Sequence, residues 1–387
     1  MAELLKPQTH VMNELQAIIK AFDQAENHHQ KTALATVVQV QGSAYRQIGA
    51  KLLIFADGKR VGSISGGCLE NDVCEWAKQV IETGQPQLIT YDTTAPEDII
   101  LGLGLGCNGV IKVLIEPLEK PRYRQQIQFI NGCLNTRKLG AIATLFQIQE
   151  NSLIDFKVLV NETGVMINSP EDFPLSETII QDTKTALNYQ QSQVKTYLWE
   201  QTEIPVFIDI IKPAISLIVF GGGEDAIPLV NLAKALGWIV NLIDHRPDAA
   251  TSGRFPLADQ IIIAYPEEIE SNFSQILPDF DHYTVAVIMT HNYLCDRSLL
   301  KLLLPSSLPY IGLLGSRQRT EQILQELQTE LDLNSALLDH FYSPIGLDIG
   351  AETPSEIALS ILAEIRAVLS DHLGGSLKYR VGSIHQL

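Results

Sequence analysis

Basic residues, paired cysteines and long apolar runs are all scarce in this chain, and each shortage removes a class of function. Lys and Arg number 28 against 45 Asp and Glu, a formal net charge of −17. Binding along a phosphate backbone needs a basic face, so a nucleic-acid role is not expected, while a local pocket for one small anion stays open. The cysteines are Cys68, Cys74, Cys107, Cys133 and Cys295, an odd set with no CxxC spacing. Neither a disulfide framework nor a zinc site of close ligand pairs is therefore expected. The scattered histidines form no HxxxH or HxH pair, so the protein alone is not expected to fix a metal. No apolar run approaches the roughly 18–20 residues of a membrane span. The first residues, MAELLKPQTHVMNEL, show no basic stretch followed by an apolar core. Without a membrane or secretory signal, a cytoplasmic protein is expected. A nucleophile elbow, an HExxH and a Walker A lysine are also missing, so no common catalytic constellation stands out.

What is present is a globular balance of 45% hydrophobic and 19% charged residues. The 387 residues suit two or three domains. In the first half, Val11, Leu15, Ile18, Ile19 and Phe22 share one face of a predicted helix over 11–29. A strand is predicted over 33–41, and Asp57-Gly58 reads as the turn of a hairpin within KLLIFADGKRVGSIS. A helix over 69–83 follows, then strands near 87–91, 109–115, 140–148 and 153–159. The stretch 168–205 is polar, carries Pro170, Pro174 and Pro205, and reads as a linker or an irregular tail with one helix. From 215 onward short apolar strands alternate with amphipathic helices, the pattern of a parallel sheet covered on both faces. The expectation is an α/β protein: an N-terminal α+β domain over 1–212, then a doubly wound parallel sheet over 213–387.

Two regions could carry chemistry. In the second half, LIVFGGGEDAIPLVNLAKALGWIVNLIDHR gives Gly221-x-Gly223-x-x-Ala226 between a predicted strand and helix. Asp244 ends the next strand 23 residues after Gly221. That context is a Rossmann-like dinucleotide fingerprint: Gly221 for the tight turn, Gly223 for backbone approach to a phosphate, Asp244 for a ribose. Arg246 suits either an extra ribose phosphate or a plain salt bridge, and Glu224 beside the helix N-terminus would repel a phosphate. The same sheet edge carries His291 and the turn Gly315-Ser316-Arg317, a second candidate anion site. Singly, His291 and Ser316 also read as ordinary caps or loop residues. In the first half, Gly66, Gly67, Cys68 and Glu70 form one glycine-rich cluster and Gly102–Gly109, with Cys107, another. Cys68 precedes a predicted helix, whose dipole favours a thiolate, whereas Cys74 falls inside it. Both Cys68 and Cys107 could equally be small packing residues.

Together these segments resemble the XdhC/CoxI family, accessory proteins of molybdenum hydroxylases such as xanthine dehydrogenase. The resemblance is carried by GSAYRQIGAKLLIFADGKRVGSISGGCLENDV, GLGLGCNGVI, the GGG loop, YIGLLGSRQRT, SPIGLDIGAETPSEIALSILAEI and GGSLKYRVGSIH. It spans roughly residues 10–115 and 215–385, and nothing in 120–210 matches. It implies a non-catalytic chaperone that binds and protects the molybdenum cofactor, as molybdopterin or a nucleotide form. Delivery would be to an apo molybdenum hydroxylase, around sulfuration by a cysteine desulfurase. It also implies cofactor contacts in the two clusters, with Cys68 as the thiol that meets molybdenum. A homodimer is expected, partly by that analogy and partly because two-fold dimers are the commonest assembly. The alternatives are an NAD(P)-dependent oxidoreductase and a nucleotide-binding regulator, both resting on the Rossmann fingerprint.

Overall fold

A computed structural model describes residues 13–42, 44–92, 109–146, 148–149, 152–153, 156–168, 175–271 and 280–380. The chain divides into two compact units, one over Glu14–Pro213 and one from Ala214 onward, which Asn13 joins.

The first unit opens with α1 (Glu14–Asn27), whose Ile18, Ile19 and Phe22 are buried as their spacing predicts. Strands β1 (Thr32–Gly42), β2 (Lys51–Phe55) and β3 (Arg60–Gly62) follow, with the hairpin turn at Asp57-Gly58. Then come α2 (Glu70–Thr83), β4 (Gln87–Asp92) and β5 (Gly109–Pro117), completing an antiparallel sheet of order β3-β2-β1-β5-β4. The remainder is α3 (Pro121–Thr136), β6 (Gly140–Leu145), the hairpin β7 (Ile148–Gln149) and β8 (Ser152–Leu153), β9 (Lys157–Asn161), β10 (Gly164–Asn168), α4 (Ser176–Tyr189), β11 (Gln193–Trp199) and β12 (Thr202–Ile211). These build a second antiparallel sheet, order β10-β9-β6-β12-β11.

That second sheet corrects the reading of 168–205 as a linker or tail. From Ser176 the chain is a helix and two paired strands, with Ile179, Tyr197, Ile204, Val206 and Ile208 in one buried cluster. Residues 169–174 lie outside the described ones. The predicted strand over 140–148 stops at Leu145, and that over 153–159 is replaced by β9 starting at Lys157. Two buried ion pairs tie the sheets together: Lys51 with Asp209, and Lys157 with Glu116 at 2.9 Å. Gln126 and Thr144 take the remaining Lys157 contacts at 3.0 and 3.2 Å, so that ammonium is fully partnered.

The second unit mostly alternates strand and helix: β13 (Ser216–Phe220), α5 (Ala226–Ala235), β14 (Ile239–Asp244), β15 (Gln260–Ile263), α6 (Pro266–Ser271), β16 (Thr284–Ile288), α7 (Tyr293–Leu303), β17 (Ile311–Leu313), α8 (Arg317–Leu327), α9 (Ser335–Leu338), β18 (Phe341–Tyr342) and α10 (Pro354–Leu369). All strand pairs are parallel, in the order β15-β14-β13-β16-β17-β18. Counted within the unit this is 3-2-1-4-5-6, the order of Rossmann folds, with its switch point between β13 and β16. β13, β16 and β17 are buried throughout, which is why they read as continuous apolar runs. Helix α10 starts in a capping box, Thr353 with Glu356, and buries Ile361 and Ile365. No helix among the described residues is long and apolar enough to cross a membrane.

Candidate functional site

In the first unit the glycine-rich loop after β3 is organised around one buried carboxylate. Glu70, the first residue of α2, turns back over the loop that precedes it. Its Oε1 accepts from the Ile64 and Ser65 N–H groups at 3.2 and 2.9 Å and lies 3.0 Å from Ser63 Oγ. Its Oε2 accepts a hydrogen bond from the Ser65 hydroxyl, and Ser65 Oγ in turn accepts from Gly67 N and Leu69 N at 3.2 and 3.1 Å. Burial opposes ionisation of Glu70, but the Ser65 hydroxyl and N–H and the Ser63 hydroxyl outweigh it, holding its pKa at about 2. At the other end of the loop, Glu14 on α1 accepts from Ser63 N at 2.8 Å and from the Arg46 guanidinium.

Two carboxylates thus fix the loop, and what it presents is Cys68. That thiol is exposed and directly precedes Leu69, the N-cap residue of α2. Gly67 lies at φ +105° with nothing within 4 Å of the point where a Cβ would stand. The exposed Tyr45 ring lies against Gly66, its nearest atom 3.4 Å from the corresponding point there. A Cβ at 66 would touch that ring at ordinary contact distance, and one at 67 would stand in open space. Cys74 is buried in the core, as its place inside the helix predicts. Cys107 lies outside the described residues.

In the second unit the predicted residues gather at the strand C-terminal edge, around the switch point. Gly221 ends β13 at φ +118°, and its N–H donates to Ile243 O at 2.8 Å. Asp244, buried at the end of β14, accepts from Gly222 N at 2.6 Å and Arg246 N at 2.8 Å. The Arg246 guanidinium adds Nε at 3.0 Å and Nη2 at 2.7 Å. Burial raises the Asp244 carboxyl, but the Arg246 and Gly222 donors prevail and hold its pKa at about 2. Arg246 is thus a salt-bridge partner. His291, at φ +57°, places Nε2 2.7 Å from Asp225 Oδ2. Ser316 caps α8, accepting from Arg319 N at 3.3 Å. Arg317 is exposed and makes no ion pair among the described residues.

Several residues of this edge carried no usable sequence signal. Arg254 donates to Gly222 O at 2.7 Å and to Glu224 at 2.6 Å, tying the glycine loop from a distance of thirty residues. Asp296, buried on α7, pairs with Thr290 and with Arg319, so the second arginine of SRQR makes the contact rather than the first. Burial pushes the Asp296 carboxyl up against those partners. Cys295, half-buried in the first turn of α7, has its thiol pushed up by burial and then by Asp296. Among the described residues no group of three His, Cys, Asp or Glu could hold a metal ion. The arrangement offers an exposed thiol in one unit and a densely paired polar edge in the other.

Comparison with known proteins agrees across both units. Residues 217–365 match the XdhC Rossmann domain, and residues 25–92 match the XdhC and CoxI family. A Bacillus subtilis (strain 168) protein named as a probable xanthine dehydrogenase subunit is 38% identical over 336 residues, 87% of this chain and 92% of its own. The molybdenum cofactor insertion chaperone PaoD of Escherichia coli (strain K12) is 23% identical over 87% of this chain and 82% of its own. A crystal structure described as a xanthine dehydrogenase from Bacillus halodurans superposes with TM-score 0.74 and 30% identity, covering 93% of this chain and 98% of that one.

Proposed function

Because the chain belongs to the XdhC and CoxI family, we propose that it is a molybdenum cofactor chaperone for an apo molybdenum hydroxylase such as xanthine dehydrogenase. It receives the cofactor around sulfuration by a cysteine desulfurase, shields it and passes it on, and it works as a cytoplasmic homodimer. The observation that carries this reading is Cys68, an exposed thiol on a loop held by the Glu14 and Glu70 carboxylates and preceded by a Gly67 whose Cβ position is open. Molybdenum is thiophilic, and a soft thiolate is the protein group that suits it. The residues present fit: Cys68 meets the metal end, and Gly67, whose Cβ position is open, leaves room beside it. When bound, the cofactor supplies the redox chemistry of the client enzyme, and this chain holds and releases it. The alternative, an NAD(P)-dependent oxidoreductase or nucleotide-binding regulator, is favoured by the glycine fingerprint, but Asp244 already holds four close donors.

The test is retention of molybdopterin by purified protein, followed by activation of an apo-hydroxylase. Cys68→Ser is expected to weaken retention about tenfold, as loss of one soft metal contact would. Cys74→Ser, in the core, is expected to lower stability and leave retention unchanged. Delivery by Cys68→Ser at the wild-type level would sink the reading.

In the Rossmann unit, Arg317 is the exposed cation suited to a terminal phosphate. Arg317→Ala is expected to weaken binding of a phosphate-bearing ligand to this unit by about 1.5–3 kcal/mol, roughly ten- to a hundredfold. A change below about twofold by equilibrium dialysis would assign Arg317 to the surface alone.

A further inference from the structure

A dinucleotide fingerprint works because its second glycine leaves space for a pyrophosphate above the helix N-terminus. In this chain that space is filled from within. The point where a Cβ of Gly223 would stand is 2.5 Å from Asp225 Oδ1, so the Asp225 carboxylate occupies it. His291 fixes the carboxylate there, Nε2 to Oδ2 at 2.7 Å. A carboxylate of the protein itself therefore stands beside the first turn of α5, although it makes no capping hydrogen bond there. Glu224 adds a second negative charge, drawn to Arg254 at 2.6 Å, and Arg254 also holds the carbonyls of Gly222 and Ala249. The Gly222 N–H, the natural donor to a phosphate, is directed instead at Asp244 Oδ2. Both Asp244 oxygens already accept from Arg246, so the ribose acceptor of the fingerprint is engaged as well.

We infer that Asp225, fixed by His291, is the specificity-determining residue that closes this glycine loop to pyrophosphate-bearing dinucleotides, nicotinamide and pterin nucleotides alike. The inference goes beyond the chaperone reading and stands or falls without it, since it concerns only what the loop refuses. The loop keeps the glycines for its turn and has lost the cavity.

The experiment titrates NADH, followed by its fluorescence, and ADP-ribose, followed by calorimetry, into the full-length protein. Wild type is expected to show no saturable binding up to about 1 mM, and Asp225→Ala to gain at least about tenfold in affinity for both probes. Asp225→Ser shortens the side chain and clears the space beside Gly223, so it serves if the alanine variant does not fold, with the same gain expected. Wild-type saturation below about 0.1 mM would overturn the inference. So would variants that melt like wild type and bind no better.

Discussion

Glu70→Ala is expected to cost the first unit about 3–5 kcal/mol, because one side chain is the acceptor for three donors of a buried loop. The Ile64 and Ser65 N–H groups and the Ser65 hydroxyl lose their acceptor, while the Ser63 hydroxyl keeps Ser65 O at 2.6 Å. Each unpaired buried donor costs about 1–3 kcal/mol, and water entering from the exposed Cys68 side recovers part of it. Ser65 Oγ then also ceases to be a fixed acceptor for Gly67 and Leu69, so the segment presenting Cys68 loosens. Urea unfolding is expected to show a lower midpoint with an unchanged slope. Alkylation of Cys68 is expected to change in rate while Cys74 stays protected. A loss below about 1 kcal/mol would show that the carboxylate does not hold the loop.

The same carboxylate sets a pH dependence. Its pKa falls from 4.5 to about 2 on folding, so its stabilisation is complete above 4.5 and is lost as pH falls toward 2. Asp244 falls from 3.8 to about 2 and contributes with the same sign in the other unit. Wild type should lose stability steeply across this range, and Glu70→Gln should show a shallower slope there. Equal slopes would mean that Glu70 titrates alike in both states.

The Rossmann unit was legible because its strands are buried on both faces and its helices are amphipathic, so local pattern and final environment coincide. In the region 176–211 the one predicted helix is α4, but the two strands after it were not legible. There β11 lies at a sheet edge, with Gln193, Lys195, Thr196 and Leu198 exposed, so its sequence reads as polar and Pro205 reads as a breaker. At the sites, sequence located the loops and missed what fills them. Gly221, Gly223 and Asp244 fit a fingerprint, but Asp225 meets His291 across 66 residues and Arg254 meets Glu224 across 30. Only the strand order brings those groups to one edge. Glu70 was visible as a neighbour of Cys68, and its inward turn, which makes it the loop's anchor, depends on the serines being folded around it.

The two glycines of the fingerprint are expected to differ sharply, which separates a structural turn from a ligand cavity. At Gly221, φ is +118°, and a Cβ would stand 2.4 Å from Met289 O and 3.0 Å from Thr290 Cα. Those are backbone atoms at the end of β16, beside β13, held by Met289 N donating to Phe220 O at 2.8 Å. They cannot move without parting the two central strands. Gly221→Val adds a β-branched side chain to a left-handed backbone, and a loss of at least about 4 kcal/mol is expected. For a unit of this size that lowers the melting temperature by about 10 °C, or leaves the protein insoluble. At Gly223 the obstructing atom is Asp225 Oδ1, the tip of a flexible side chain, and the residue is not at positive φ. Gly223→Ala should displace Asp225 from His291 and cost only about 1 kcal/mol. Scanning calorimetry of both variants reads the contrast directly. If Gly221→Val melts within about 2 °C of wild type, the close approach of β13 and β16 is not what requires glycine at 221.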